Sequence, residues 1–161
     1  MSACDILVIA NLNMDLILEQ KNSQQTSRKR YADSFTLSPG GNGYNEAVAA
    51  ARMGATVALA GMIGSDSFGA QLKASLNEEI TDSQLVRVVP GSSGLSLILS
   101  SAGQENIYWD IVGANACLDE EYIRGLESHI AKVKLLVVGF GVPYASTVLA
   151  IRLAQKHGTA V

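Results

Sequence analysis

The sequence predicts an α/β fold in which helices cover both faces of a parallel sheet and a smaller, more polar sheet is inserted. Continuously apolar runs at Ile6–Ala10, Thr56–Gly61 and Leu135–Gly139 are typical of strands that are buried on both faces. Helical patterns alternate with these runs, which is the order expected of a three-layer α/β protein. Between Val86 and Val112 the strands become more polar and lie closer together, as in a small sheet.

In the first half of the chain, each predicted element has a local signal for where it begins or ends. An alanine-rich helix over Asn45–Met53 ends at Gly54, a residue that commonly closes helices. Asp66 is expected to cap a helix over Ser67–Glu79. After the first strand, extended segments are predicted at Met14–Leu18 and Tyr31–Leu37.

In the second half, a hairpin and two helices precede the end of the sequence. The predicted strands are Val86–Val89 and the two hairpin arms Leu95–Ser100 and Asn106–Val112. The predicted helices are Asp119–Ile130 and a segment from Pro143 to His157, which Gly158 caps. Thr159-Ala160-Val161 resembles the start of another strand. We therefore expect the 161 residues to be the C-terminally truncated, N-terminal part of a longer domain.

Composition excludes several classes of function. The chain has a net charge of −3 and is 48% apolar and 17% charged, so nothing global points to nucleic acid or to an anionic membrane. The basic trio Arg28-Lys29-Arg30 lacks interleaved aromatic residues and is expected to be a solvated loop or strand edge. Cys4 and Cys117 have neither zinc-site spacing nor the spacing of a disulfide framework, which suits a cytoplasmic protein. No leader sequence or membrane span is expected.

The glycine-rich run from Gly40 to Gly69 predicts a small-molecule site. Gly41 and Gly43 allow backbone conformations that other residues avoid, and they let a ligand approach the main chain. Asn45 falls in the first turn of the helix that follows, where free N–H groups favour anionic or hydroxyl-rich ligands. The run lacks the third glycine of a dinucleotide fingerprint and the GK[ST] of a phosphate loop.

A second candidate follows the first strand, at the edge where open α/β sheets bind ligands. Asn13 and Asp15 supply an amide and a carboxylate, which together suit a polyol, but Asn and Asp are also common turn formers, and on their own these residues favour the two interpretations equally. The residues Gly113-Ala114-Asn115 favour a tight connection, and Asp110 on the hairpin could close over a ligand but favours packing between strands. His129 and His157 are expected to be ordinary surface residues, and no nucleophile–base pair can be assembled.

In this order, Asn13-Met14-Asp15, GGNGYNEAVAAARMGA, GMIGSDSFG and VGAN resemble the ribokinase or PfkB-type sugar kinase family. The resemblance covers essentially the whole chain. It implies a Rossmann-like, three-layer ribokinase-like fold with a small β-sheet lid, built here from residues of about 14–37 and 86–112. It also implies ATP-dependent phosphorylation of a sugar hydroxymethyl group, with ATP and Mg²⁺ as cofactors and a homodimer formed through the lid as a possible assembly.

Carried over by position, the resemblance gives sugar-binding roles to five residues: Asn13, Asp15, Gly41, Asn42 and Asn45. Asn42 stands where ribokinases usually have lysine. The acidic residue that often follows the strand at Leu135–Gly139 is replaced by Phe140-Gly141, and the polar stretch Glu19–Arg30 lacks the usual proline-glycine turn. The family's catalytic base and nucleotide pocket belong to its C-terminal half, so no catalytic or metal-binding residue is expected here. The alternative is a non-catalytic relative that binds a sugar or a protein partner.

Overall fold

The protein, described here from a computed structural model, contains two four-stranded sheets with helices packed on the first. The structure describes residues 4–21, 29 and 31–161. Most of the basic trio and of the polar stretch before it therefore lies outside the described residues. The strands are β1 (Ile6–Ile9), β2 (Asn13–Gln20), β3 (Ser34–Gly40), β4 (Val57–Gly64), β5 (Val86–Val89), β6 (Gly94–Ser101), β7 (Ile107–Ile111) and β8 (Leu135–Val138). The helices are α1 (Asn42–Arg52), α2 (Ser67–Glu79), α3 (Glu120–Gly125), α4 (Glu127–Ile130) and α5 (Tyr144–His157), with a 3₁₀ turn at Gly113–Cys117.

The first sheet, called the parallel sheet below, has the order β5-β4-β1-β8, and all its strand pairs are parallel. Every residue of β4 is buried, because helices cover both faces of the sheet. Leu7 and Ile9 of β1 face a core shared with α3 and α5, whereas Val8 faces the core shared with α1 and α2. The predicted three-layer arrangement of this sheet is confirmed. An isolated parallel bridge joins Leu135 to Ala160, as expected for the start of a further strand.

The second sheet has the order β3-β2-β6-β7. β2 pairs with β3 in antiparallel and with β6 in parallel orientation, and β6 and β7 form the predicted antiparallel hairpin. The sequence also predicts Val86–Val89 as part of this smaller sheet, and the structure differs. Val86–Val89 pairs with β4 in the parallel sheet, so the part of the second sheet that follows it begins only at Gly94.

Several element ends differ from the sequence prediction. Helix α1 begins at Asn42 rather than Asn45, because Gly41 turns the chain directly into it. The predicted helix Asp119–Ile130 is two short helices, since buried Leu126 takes dihedrals of −91° and −2° between them. The Asp66 cap is confirmed, as its side chain accepts from the N–H of Gly69.

β3 extends through Ser38-Pro39-Gly40, beyond the end of the extended segment Tyr31–Leu37 that the sequence predicts. A proline removes a ladder hydrogen bond and is tolerated where a strand has no neighbour on one side. β3 is the edge strand of the second sheet, so Pro39 fits there. The extension carries the chain straight from the sheet to Gly41 and α1.

Candidate sugar-binding cleft

A cleft of about 270 Å³ lies between the second sheet and the N-terminus of α1. All five predicted site residues line it: Asn13, Asp15, Gly41, Asn42 and Asn45. The sequence signals for these residues lie about thirty positions apart, and the structure brings them together because Asn13 pairs with Gly40 in the β2–β3 ladder. The other lining residues are Asn11, Ser96, Ile98, Tyr108 and Asp110.

Two glycines make room for the polar groups of the cleft. Gly41 has φ +83°, and a Cβ added there would lie 2.9 Å from the backbone nitrogen of Asn13 and 3.2 Å from the carbonyl oxygen of Asn11. A Cβ added to Gly40 would lie 2.0 Å from Oδ2 of Asp15. These glycines therefore allow the carboxylate of β2 to rest against the main chain that leads into α1.

Asp15 is half-buried, and one of its oxygens lacks a partner. Oδ1 is buried without a hydrogen bond among the described residues. Burial raises the pKa of Asp15, the neighbouring charge of Asp110 raises it further, and the hydrogen bond donated by the backbone N–H of Gly41 opposes both. A ligand hydroxyl that donates to Oδ1 would complete the hydrogen bonding of this carboxylate.

Asn13 is buried and held at both ends of its amide. Its Oδ1 accepts from Nδ2 of Asn115 at 2.8 Å, and its Nδ2 donates to Oγ of Ser96 at 3.0 Å. Asn115, which is 1% exposed, also accepts from the backbone N–H of Leu12 at 2.8 Å. These bonds fix both the position and the direction of the Asn13 amide.

Asn42 and Asn45 are exposed on the first turn of α1. The backbone N–H of Asn45 donates to the carbonyl oxygen of Gly41 at 3.0 Å, so only N–H groups before Asn45 lack a helical partner. Asn11 lies next to them, and its Oδ1 accepts from the N–H of Gly43 at 3.5 Å. The cleft is therefore lined by four asparagine side chains and two carboxylates. None of its ten lining residues, all of them described, is lysine, arginine or histidine.

Sequence reasoning missed part of this site. Asn11 directly follows the first strand and stands two residues before Asn13, so the alternation Asn11, Asn13, Asp15 is a signal in the sequence. The reading of Gly113-Ala114-Asn115 as a tight connection describes its backbone, since a Cβ on Gly113 would lie 2.4 Å from the carbonyl oxygen of Ser93. It overlooked the Asn115 side chain, which only long-range contacts reveal.

Other candidate residues lie elsewhere. His157 contacts Glu127 at 2.8 Å on the surface, and His129 is half-buried away from the cleft. In the part of the chain that the structure describes, no cluster of three or more histidine, cysteine or acidic residues could hold a metal ion. Likewise, no helix within the described ranges has the length and apolar character needed to cross a membrane.

Comparisons with known proteins identify a matching family and similar sequences. The family model described as pfkB family carbohydrate kinase matches residues 4–161. Ribokinase of Haemophilus influenzae is 31% identical over 97% of this chain and 51% of its own length. Deoxyribokinase of Salmonella typhi is 31% identical over 98% of this chain and 52% of its own length.

The fold has close counterparts as well. The structure of Arabidopsis thaliana ribokinase, complexed with ribose and ATP, superposes with a TM-score of 0.84 at 18% identity. The superposition covers 98% of this chain and 52% of that one. The chain thus spans about half the length of the curated relatives that it matches.

Proposed function

Because the chain belongs to the pfkB family of carbohydrate kinases, we propose that it forms the sugar-binding half of an ATP-dependent sugar kinase. The reaction is the transfer of the ATP γ-phosphoryl group to a hydroxymethyl group of a sugar. The observation that carries this proposal is the convergence of Asn13, Asp15, Gly41, Asn42 and Asn45 on one cleft. Ribose and 2-deoxyribose are the first candidate substrates, as the names of the relatives suggest.

In this proposal each residue has a defined task. Asp15 accepts hydrogen bonds from sugar hydroxyls, and Asn13, whose amide is already oriented, supplies a further polar contact. Gly41 lets the ring approach the backbone, and Asn42 and Asn45 contact it from the first turn of α1. Together they hold the hydroxymethyl group in a fixed place, which is the main requirement for phosphoryl transfer by positioning.

The described residues of the cleft do not fit the triphosphate of ATP, and among the described residues no group of three or more histidine, cysteine or acidic residues could hold its Mg²⁺. Asp15 and Asp110 would repel a triphosphate, and the cleft offers neither a cation nor a phosphate-binding loop. We therefore assign no catalytic residue to this chain and propose that the nucleotide groups come from the half of the kinase that it does not span. On this view, residues 1–161 alone do not turn over ATP.

The second sheet is proposed to act as a lid over the sugar and as a dimer contact. Its face away from the cleft carries large exposed apolar side chains, including Phe35 at 69% and Trp109 at 56% exposure. A second copy of the sheet would cover them, and sedimentation of the wild-type protein and a Trp109→Glu variant tests this. We also propose a cytoplasmic location, in keeping with the free thiols of Cys4 and Cys117.

The test of the function is sugar-dependent ATP turnover by the intact protein. ADP formation is measured with ribose, 2-deoxyribose and, as a control, ribose 5-phosphate, whose charge the acidic cleft disfavours. We expect stimulation by one or both neutral sugars and none by the phosphorylated one. Sugar binding without any turnover would favour the alternative, a non-catalytic sugar-binding relative, and absence of both would contradict the proposal.

A further inference from the structure

Asp110 ends a directed chain of hydrogen bonds that crosses the second sheet. Asn115 donates to Asn13 at 2.8 Å, Asn13 donates to Ser96 at 3.0 Å, and Ser96 donates to Oδ1 of Asp110 at 2.7 Å. Every donor points the same way. This series of hydrogen bonds ends on a carboxylate, which when ionised can only accept hydrogen bonds.

The direction of this chain is fixed at its buried end. Oδ1 of Asn115 accepts from the backbone N–H of Leu12, while Nδ2 donates to the carbonyl oxygen of Leu12 at 3.2 Å. If the Asn115 amide were turned over, its oxygen would face the carbonyl oxygen of Leu12 and its NH₂ group would face the backbone N–H of Leu12, so neither pair could form a hydrogen bond. Asn13 must therefore offer its oxygen to Asn115 and its nitrogen to Ser96, which leaves the hydroxyl hydrogen of Ser96 for Asp110.

Asp110 has acceptor capacity left over and is accessible from the cleft. Its Oδ1 accepts from Ser96, and its Oδ2 has no hydrogen bond to any described residue. Because the residue is exposed and lines the cleft, a ligand can reach it. A carboxylate that only packed between strands would not need a four-residue relay to orient it.

Asp110 and Asp15 lie on the same face of the second sheet. Asp15 is paired with Ser96 across β2 and β6, and Ser96 is paired with Asp110 across β6 and β7. The two carboxylates are close enough for the charge of Asp110 to raise the pKa of Asp15. With no cation among the described lining residues, both carboxylates have oxygen atoms that can accept hydrogen bonds from a ligand.

The next row of the same face is apolar. Ile98 is paired with Tyr108, and both line the cleft beyond Ser96 and Asp110. A ring with hydroxyls on one edge and C–H groups on a face matches the two rows, since aromatic and aliphatic side chains pack against the C–H face.

We infer that Asp110 is a specificity-determining residue that accepts a hydrogen bond from a second sugar hydroxyl, opposite the hydroxyl bound by Asp15. This inference rests on the proposed function. It assigns to the site a neutral, polyhydroxylated sugar with a hydroxyl at one defined ring position, and it predicts poor binding of sugars that lack this hydroxyl or carry phosphate there.

The test combines one isosteric variant with a series of ligands. Kd values for ribose and for its 1-, 2- and 3-deoxy analogues are measured by calorimetry with the intact wild-type protein and with Asp110→Asn. We expect Asp110→Asn to weaken binding about tenfold for the sugars that keep the recognised hydroxyl, because a charge-assisted bond is lost. For the single analogue that lacks this hydroxyl, the two proteins should bind equally.

Glu19→Gln is the matched control. Glu19 also lies in the second sheet and accepts from a serine hydroxyl, that of Ser34, at 2.7 Å, but it lies outside the cleft. This variant should leave all four Kd values unchanged. An equal loss for all four sugars in Asp110→Asn, or no loss for ribose, would overturn the role of Asp110 alone. If the wild-type protein binds none of the four sugars, the proposed function fails together with this inference.

Discussion

The parallel sheet and the second sheet each have four strands, but the first is largely buried and the second is largely exposed to solvent. All eight residues of β4 are buried, whereas all five residues of β7 are exposed. The parallel sheet has helices on both faces, and the second sheet has the cleft on one face and exposed apolar side chains on the other. The first sheet supplies the stability of the fold, and the second supplies groups that remain free to contact a ligand or a partner.

The largest expected difference between the two sheets is in the free energy of unfolding. Leu59 of β4 is 0% exposed and Phe35 of β3 is 69% exposed. Leu59→Ala should cost about 2–5 kcal/mol, because the transfer energy is lost and a cavity remains. Phe35→Ala should cost less than about 1 kcal/mol when both variants are unfolded as monomers, in which Phe35 is exposed. Urea unfolding of both variants measures this, and equal losses would mean that the second sheet has a core of its own.

The second largest expected effect distinguishes a loss of sugar affinity from a loss of stability. Gly41 and Gly54 both have positive φ, but a Cβ at Gly41 would collide with the backbone of Asn13, whereas a Cβ at Gly54 meets nothing within 4 Å. Both alanine variants carry a conformational cost of about 1 kcal/mol. Only Gly41→Ala should also lower sugar affinity, by more than tenfold. Comparable affinities of the two variants would show that Gly41 does not shape the cleft.

The smallest predicted effects are those of two carboxylates on the pH dependence of stability, and they have opposite signs in the two sheets. Lys134 and Thr56 donate to Asp5, at the start of β1, and hold its pKa at about 2, below its ordinary value of 3.8. Asp5 therefore stabilises the fold at neutral pH, and this contribution is lost as the pH falls from about 4 towards 2. The pKa of Asp15 is raised, chiefly by burial, so its ionised form costs stability that is regained as the pH falls through that raised pKa.

The opposite contributions of Asp5 and Asp15 to stability predict opposite changes in melting temperature at pH 7. Asp5→Asn should lower Tm and Asp15→Asn should raise it, and the deficit of Asp5→Asn should shrink below pH 4. Thermal unfolding of the wild-type protein and both variants at pH 7 and pH 3 measures these changes. A fall in Tm for Asp15→Asn at pH 7 would mean that the carboxylate supports the fold rather than being retained for a ligand.

The same contrast explains what the sequence could predict. The apolar strands of the parallel sheet and the Asp66 cap are signalled by neighbouring residues, and the structure has them within about three residues. The β6–β7 hairpin was also recognisable, because two strand-like segments flank the turn residues Ser101-Ala102-Gly103-Gln104. The grouping of Val86–Val89 with the smaller sheet was wrong, because a four-residue strand carries no local sign of which sheet it joins.

The residues of the candidate site also divide into those that the sequence could identify and those that it could not. Residues that follow a strand or begin a helix, such as Asp15 and Asn45, could be identified from their positions in the chain. Ser96, Asp110 and Asn115 could not, because their roles depend on cross-strand register and on contacts between residues up to 103 positions apart. A polar side chain on a hairpin does not by itself indicate which face of the sheet it occupies.

The most direct measurement is ribose and ATP binding by the intact protein with Asp15→Ala, compared with Glu19→Ala on the same strand outside the cleft. If the cleft is the sugar site, Asp15→Ala should weaken ribose binding at least tenfold, because removing the carboxylate leaves ligand hydroxyls unpaired. ATP affinity should stay nearly unchanged, and Glu19→Ala should bind both ligands like the wild-type protein. Equal losses of ribose and ATP affinity in Asp15→Ala, or unchanged ribose affinity, would contradict the assignment of this cleft to the sugar.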